Sequence, residues 1–93
     1  MSTMDSALLQ ADVETEQTAV EVHRLIVHND DYNTFEWVIE TLMSVCKHSA
    51  EQAEQCSYII HSKGKYAVKH GTYKTLRPMK EAIAERGINV TIE

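Results

Sequence analysis

The stretch VHRLIVHNDDYNTFEWVIETLMSVC, residues 22–46, predicts a strand, a turn and a helix in succession. Its first seven residues are rich in β-branched and aliphatic side chains and are followed by the polar run NDD, as is typical of a short buried strand. Asn33, with Glu36 three residues later, forms a capping-box pattern, and apolar residues then recur three and four positions apart. We therefore expect a strand at residues 22–28 and a helix that is capped by Asn33 and ends near Lys47 or His48.

The next stretch predicts a second helix and a second strand. Ser49 and Gln52 repeat the capping pattern, and Gly64 offers a left-handed stop, so we expect a helix between them. The segment KYAVKH, residues 65–70, has the composition of a strand.

The last stretch predicts a third helix and a third strand. We expect this helix to start between Tyr73 and Thr75, with Pro78 in its first turn, and to end at Gly87. From residue 88 onward apolar and polar residues alternate, which indicates a half-buried strand. The predicted order is β-α-α-β-α-β, an α+β single domain with a three-stranded sheet packed by helices, and 93 residues suffice for one core.

The charge is unevenly distributed along the chain. Residues 1–21 hold five acidic residues and no Lys or Arg, so this segment carries the whole net charge of −5, while residues 22–93 are neutral overall. The segment has few large apolar side chains, and we interpret it as a flexible acidic N-terminal tail preceding a folded domain at 22–93. Nucleic acid is not an expected partner, because it selects clustered positive charge.

The sequence also predicts the environment of the protein. No apolar run is long enough to cross a membrane, and the N-terminus lacks the pattern of a signal peptide, so we expect a cytoplasmic monomer that does not bind membranes. Cys46 and Cys56 are too few to form a disulfide framework, and we expect both to be reduced and partly buried.

The candidate site is the polar turn formed by Asn29, Asp30 and Asp31, together with His61 near the end of the second helix. Asn and Asp are preferred in turns and caps, so a purely structural role is the simpler explanation of the turn. Alternatively, an Asn carbonyl and two carboxylates can surround a metal ion or an ammonium group. A zinc site formed by Asp30, Cys56 and His61 is a further alternative, although no ligand pair has a familiar spacing.

Signatures of enzymes are absent from the sequence. It contains no Gly-rich phosphate loop, no Gly-x-Ser-x-Gly and no His-Glu-x-x-His, and only three glycines in total. Cys46 and His48 are two residues apart on the predicted helix and face different directions, which disfavours a Cys-His nucleophile. We expect a binding protein that is not an enzyme and that needs no cofactor.

Three segments resemble the ClpS family, the adaptors of the bacterial Clp protease that recognise N-degrons. HNDDYNTFEWVIETLMSV is similar to the family's strand-turn-helix pattern, EQAEQCSYIIHSKGK to its segment ending in His-x-x-Gly-Lys, and INVTIE to its terminal strand. The resemblance covers about residue 22 to the end. It implies a β-α-α-β-α-β fold and an adaptor that delivers substrates to a Clp AAA+ unfoldase, either ClpA-like or ClpC-like.

The resemblance also implies roles for individual residues. The substrate's α-amino group would be held by Asn29, Asp30, Asp31 and His61, and its first side chain would enter an apolar cavity. The residues carried over to that cavity are Asn33, Phe35, Val38, Ser57, Ile60 and Ile88. Phe35 and Ser57 stand where methionine is usual in the family, and Ser57 is expected to enlarge the cavity floor or make it more polar.

Overall fold

The computed structural model describes residues 21–93, and the predicted first strand lies in the middle of a three-stranded antiparallel sheet. Strand β1 (His23–His28) pairs with β2 (Lys65–Gly71) on one side and with β3 (Val90–Ile92) on the other. The helices are α1 (Phe35–Cys46), α2 (Ala50–Lys63) and α3 (Tyr73–Glu85). The predicted element order and α+β class are confirmed. Apart from Glu21, the predicted tail lies outside the described residues.

The core forms between the sheet and the three helices. Leu25 and Val27 of the central strand are 0% and 1% exposed and belong to the same buried cluster as Leu42, Leu76 and Ile83 from the helices. Burying a large aliphatic side chain contributes roughly 1.5–3 kcal/mol. The core is therefore the main source of stability, and it fixes the helices against one face of the sheet.

Local signals set the ends of α2 as predicted. The Ser49 hydroxyl accepts a hydrogen bond from the backbone N–H of Gln52 at 3.1 Å. At the other end Gly64 has φ 94°, a left-handed conformation that glycine adopts without steric cost, and its N–H donates to the carbonyl of Ile60. Helix α2 therefore begins and ends where its sequence indicates.

The predicted N-terminus of α1 is wrong by one residue. Thr34, not Asn33, caps the helix, and its hydroxyl accepts from the backbone N–H of Trp37 at 3.0 Å. The side-chain amide of Asn33 instead donates to Asp30 Oδ2 at 2.7 Å and to the carbonyl of Gly87 at 3.0 Å. Asn33 therefore ties the turn to the end of α3 rather than capping α1.

The predicted position of Pro78 is also wrong. Helix α3 starts at Tyr73 with Thr72 as its cap, so Pro78 is the sixth residue and lies beyond the first turn. A proline there cannot donate to the carbonyl of Lys74. Pro78 is exposed, and water can reach this part of the helix. The helix continues to Glu85, two residues short of Gly87.

Arg86 fastens the end of α3 to α1. Its carbonyl accepts from Trp37 Nε1 at 3.1 Å, and its guanidinium lies 5.3 Å from the centre of the Trp37 ring, a cation–π contact. The guanidinium also donates to Thr41 Oγ1 and Ser44 Oγ, at 3.4 and 3.1 Å. These contacts run along α1 from Trp37 to Ser44 and hold the helix, whose first turn borders the candidate site, against the end of α3.

Both cysteines are free and buried, as expected. Burial raises the pKa of the Cys46 thiol to about 11. None of the helices within residues 21–93 is both long and apolar enough to cross a membrane.

Candidate functional site

A cleft of about 430 Å³ opens between the turn after β1, the start of α1 and the end of α2. Four of its lining residues are the predicted polar group, Asn29, Asp30, Asp31 and His61. Asn33, Thr34, Phe35, Val38, Ser57 and Ile60 complete the lining. The structure thus brings together nine of the ten residues named from the sequence. The tenth, Ile88, is not part of the lining.

The turn is held in shape by the carboxylate of Asp30. Its Oδ1 accepts from the backbone N–H groups of Tyr32 and Asn33, both at 2.8 Å, and its Oδ2 accepts from the Asn33 amide. These bonds favour the charged form, and the backbone bond from Asn33 is the main reason why the pKa of Asp30 lies below its ordinary value. Asp30 is therefore an ionised group that is already engaged by the protein.

A backbone bond places the turn beside the end of α2. The N–H of Asn29 donates to the carbonyl of Gly64 at 2.8 Å. Gly64 directly follows α2, and His61 is in the last turn of that helix. Asn29 and His61 are 32 positions apart in the sequence. The turn and His61 therefore meet across the mouth of one cleft.

The other polar groups at the mouth are available to a ligand. Asn29, Asp31 and His61 are exposed, and within residues 21–93 no hydrogen bond from another group reaches their side chains. Asp31 adds a second carboxylate next to the ionised Asp30. The mouth therefore combines negative charge with several acceptors, which suits a cation that carries N–H donors.

The deeper part of the cleft is mostly apolar. Ile60 is 3% exposed, and Val38 is half-buried on the facing helix. Phe35 is 36% exposed and stands at the entrance. Ser57 is 2% exposed and is the one polar lining residue that is fully buried. Such a cavity takes up an apolar side chain by removing it from water.

Ile88 was predicted to line the cavity, and the structure places it elsewhere. Its side chain is 4% exposed and packs in the hydrophobic core, outside the lining of the cleft. Ile88 follows Gly87, whose carbonyl accepts from the Asn33 amide, so its backbone adjoins the turn while its side chain belongs to the core. Thr34 is the lining residue that the sequence reasoning missed. Threonine is a preferred helix cap, so the sequence contained a sign of its position. The neighbouring Asn33 was chosen as the cap instead, because Asn33 and Glu36 match the capping-box pattern.

The zinc alternative does not assemble. Cys56 packs in the core, whereas Asp30 and His61 line the cleft. No cluster of three or more His, Cys, Asp or Glu side chains suited to a metal ion occurs in the part of the chain that the structure describes.

Comparisons with known proteins agree on one family. The family model described as "ATP-dependent Clp protease adaptor protein ClpS" matches residues 13–91. The ClpS adapter protein of Nitratidesulfovibrio vulgaris (strain DP4) is 36% identical over 52 residues, which is 56% of this chain and 50% of that protein. That of Acetivibrio thermocellus is 35% identical over 65 residues, 70% of this chain and 65% of that protein. The chain thus spans about half the length of the first relative.

A solved structure shows the same fold. Agrobacterium tumefaciens ClpS2 bound to L-phenylalaninamide matches with a TM-score of 0.72 and 23% identity, over 77% of this chain and 94% of that one.

Proposed function

The chain belongs to the ClpS family of Clp protease adaptors, and we propose that it binds proteins by a free α-amino group and a bulky hydrophobic first residue. We further propose that it delivers them to a Clp AAA+ unfoldase-protease, acting in the cytoplasm as a monomer and not as an enzyme. The observation that carries the proposal is a single cleft with acceptors at its mouth and apolar walls below them. The ligand of the Agrobacterium relative, L-phenylalaninamide, has the same two parts, an ammonium group and an apolar side chain.

The mouth of the cleft matches an α-ammonium group. Such a group offers three donors on one charged atom, and each charge-assisted hydrogen bond contributes about 1.5–3 kcal/mol. A carboxylate has about four acceptor positions, and Asp30 already uses three of them within the turn. Asn29, Asp31 and His61 therefore supply most of the direct contacts, and Asp30 contributes its charge and holds the turn.

The walls of the cleft match the first side chain. Phe35 and Val38 on α1 face Ile60 on α2 across the cavity. Transfer of a bulky apolar side chain from water into this cavity contributes roughly 1.5–3 kcal/mol. Ordering the peptide costs several kcal/mol. The expected affinity is therefore weak to moderate, which suits a protein that hands its substrate on.

A peptide series tests the binding part of the proposal. Peptides that differ only in the first residue are titrated against the full chain by fluorescence anisotropy. We expect binding of Phe, Tyr, Trp and Leu starts and weaker binding of Ile and Val, whose branched Cβ crowds the entrance beside Phe35. Equal affinity for Phe, Ile and Val starts would overturn this specificity.

His61 provides the matched variant for the same titration. His61→Ala is expected to weaken binding of the Phe peptide about tenfold, the loss of one charge-assisted bond. The control is His70→Ala, because His70 is also exposed but lies on β2 and does not line the cleft. Equal losses in both variants would argue against a contact between His61 and the ligand.

A degradation assay tests the delivery part. A reporter with an N-terminal Phe is incubated with the adaptor and either a ClpA-like or a ClpC-like unfoldase together with its protease. Removal of residues 1–21 is expected to spare peptide binding and to slow degradation, because the acidic segment is proposed to engage the unfoldase. A truncated chain that delivers at the full rate would overturn the role of that segment.

A further inference from the structure

Ser57 is a buried residue in the floor of the cleft whose hydroxyl group has no hydrogen-bond partner. It is 2% exposed, and its Oγ finds neither donor nor acceptor among residues 21–93. Helical serines often donate to the carbonyl four residues earlier, but Ser57 makes no such bond to Ala53. An unpaired hydroxyl in apolar surroundings is unfavourable, so it requires an explanation.

The position of Ser57 on α2 supplies one. Ser57, Ile60 and His61 lie three and four residues apart, so they share one face of the helix, and all three line the cleft. His61 is exposed at the mouth, while Ile60 and Ser57 are buried below it. Four residues of helix span about 6 Å. A first residue whose ammonium group contacts His61 therefore directs the far end of its side chain toward Ser57.

We propose, on the basis of the proposed function above, that Ser57 selects a first residue with a hydrogen-bonding group at the far end of its ring, tyrosine in preference to phenylalanine. A serine hydroxyl can donate and accept, and so can a phenol. Phenylalanine fills the same walls formed by Val38 and Ile60 but leaves the Ser57 hydroxyl unpaired. A site with a buried polar group discriminates against an analogue that lacks the matching group.

The test is a comparison of two peptides that are identical except for Tyr or Phe at the first position. The full chain is expected to bind the Tyr peptide about five-fold more tightly, the effect of one net neutral hydrogen bond. In Ser57→Ala this ratio is expected to fall to about one. Ser62→Ala is the control, because Ser62 lies on the same helix, is exposed, and donates to the carbonyl of Ile59 at 3.4 Å. The control is expected to keep the wild-type ratio.

The outcomes separate this inference from the proposed function. If both peptides bind with equal affinity, or if Ser57→Ala keeps the preference for Tyr, the inference is overturned and the proposed function stands. If the wild-type chain binds neither peptide, the proposed function fails, and the inference fails with it.

Discussion

The turn at the mouth of the cleft, residues 29–33, and the interior of the α1–α2 helix pair hold their polar groups in opposite ways. In the turn, Asp30 is ionised and accepts three hydrogen bonds, and its neighbours are exposed to water. Inside the helix pair, Ser57 Oγ is buried without a partner, and so is Nδ1 of His48 in the loop that joins the two helices. The turn therefore stabilises the fold, whereas each buried unpaired atom opposes it.

The largest expected effect comes from breaking the turn. Asp30→Ala removes the acceptor for two backbone N–H groups and for the Asn33 amide, so we expect the free energy of unfolding to fall by about 2 kcal/mol. Asp31→Ala is the control, and its unfolding free energy should change by less than about 0.5 kcal/mol because its side chain is exposed. Urea denaturation measures both. Equal stability of the two variants would contradict the role given to Asp30.

Acidification should have the same effect on the turn as the substitution. The folded-state pKa of Asp30 is lowered, chiefly by the backbone bond from Asn33. The stability that Asp30 contributes is therefore present above its unfolded pKa of about 3.9 and is lost as the pH falls through the lower folded value. Asp30→Ala should show a smaller loss of stability than the wild type over that range.

A substitution inside the helix pair is expected to change the free energy of unfolding by a smaller amount and in the opposite direction. Ser57→Ala removes the unpaired hydroxyl and places a better helix former on α2, so the free energy of unfolding should rise by about 1 kcal/mol. Ser62→Ala should gain only the few tenths of a kcal/mol that come from helix propensity. A Ser57→Ala protein that is less stable than the wild type would mean that Ser57 has a partner in the free protein.

The smallest effect is expected from the titration of His48, because its causes partly cancel. Burial is the main reason why the pKa of His48 lies below its ordinary value; the charge of Lys69 lowers it further, and the backbone of Val68 acts in the opposite direction. The stability that neutral His48 contributes is therefore fully present above the unfolded pKa of about 6.5, and it is lost as the pH falls through the lower folded pKa. His48→Gln should show a flatter decline than the wild type in urea denaturation between about pH 7.5 and 5, and the exposed His70→Gln should not.

The difference between the two regions also explains what the sequence could predict. The ends of α2 were predicted correctly because Ser49 and Gly64 act on their own backbone neighbours. The cap of α1 was wrong because Asn33 is engaged by Asp30 and by Gly87, a residue 54 positions away. Contacts of that range follow from the packing of α3 and leave no local pattern.

The candidate site shows the same limit. The polar group of the mouth could be named because acceptors interrupt an aliphatic stretch. The structure places nine of the ten named residues around one cleft, and their roles in binding stay predictions. Ile88 was assigned to the cavity through the resemblance alone, and the alternation of residues 88–92 identifies a shared face but not what that face contacts; in the structure Ile88 packs in the core. Whether the Ser57 hydroxyl has a hydrogen-bond partner depends on the side chains packed around it, so the amino-acid sequence alone could not show that it is unpaired.

The most direct test of the central claim is to acetylate the α-amino group of a peptide that starts with Phe. Acetylation removes the positive charge and two of the three donors while it leaves the phenyl ring intact. We expect the free-amine peptide to bind and its acetylated form to bind at least about 100-fold more weakly, the loss of two charge-assisted hydrogen bonds. Equal affinity of the two forms would contradict the claim that the mouth of the cleft recognises an α-ammonium group.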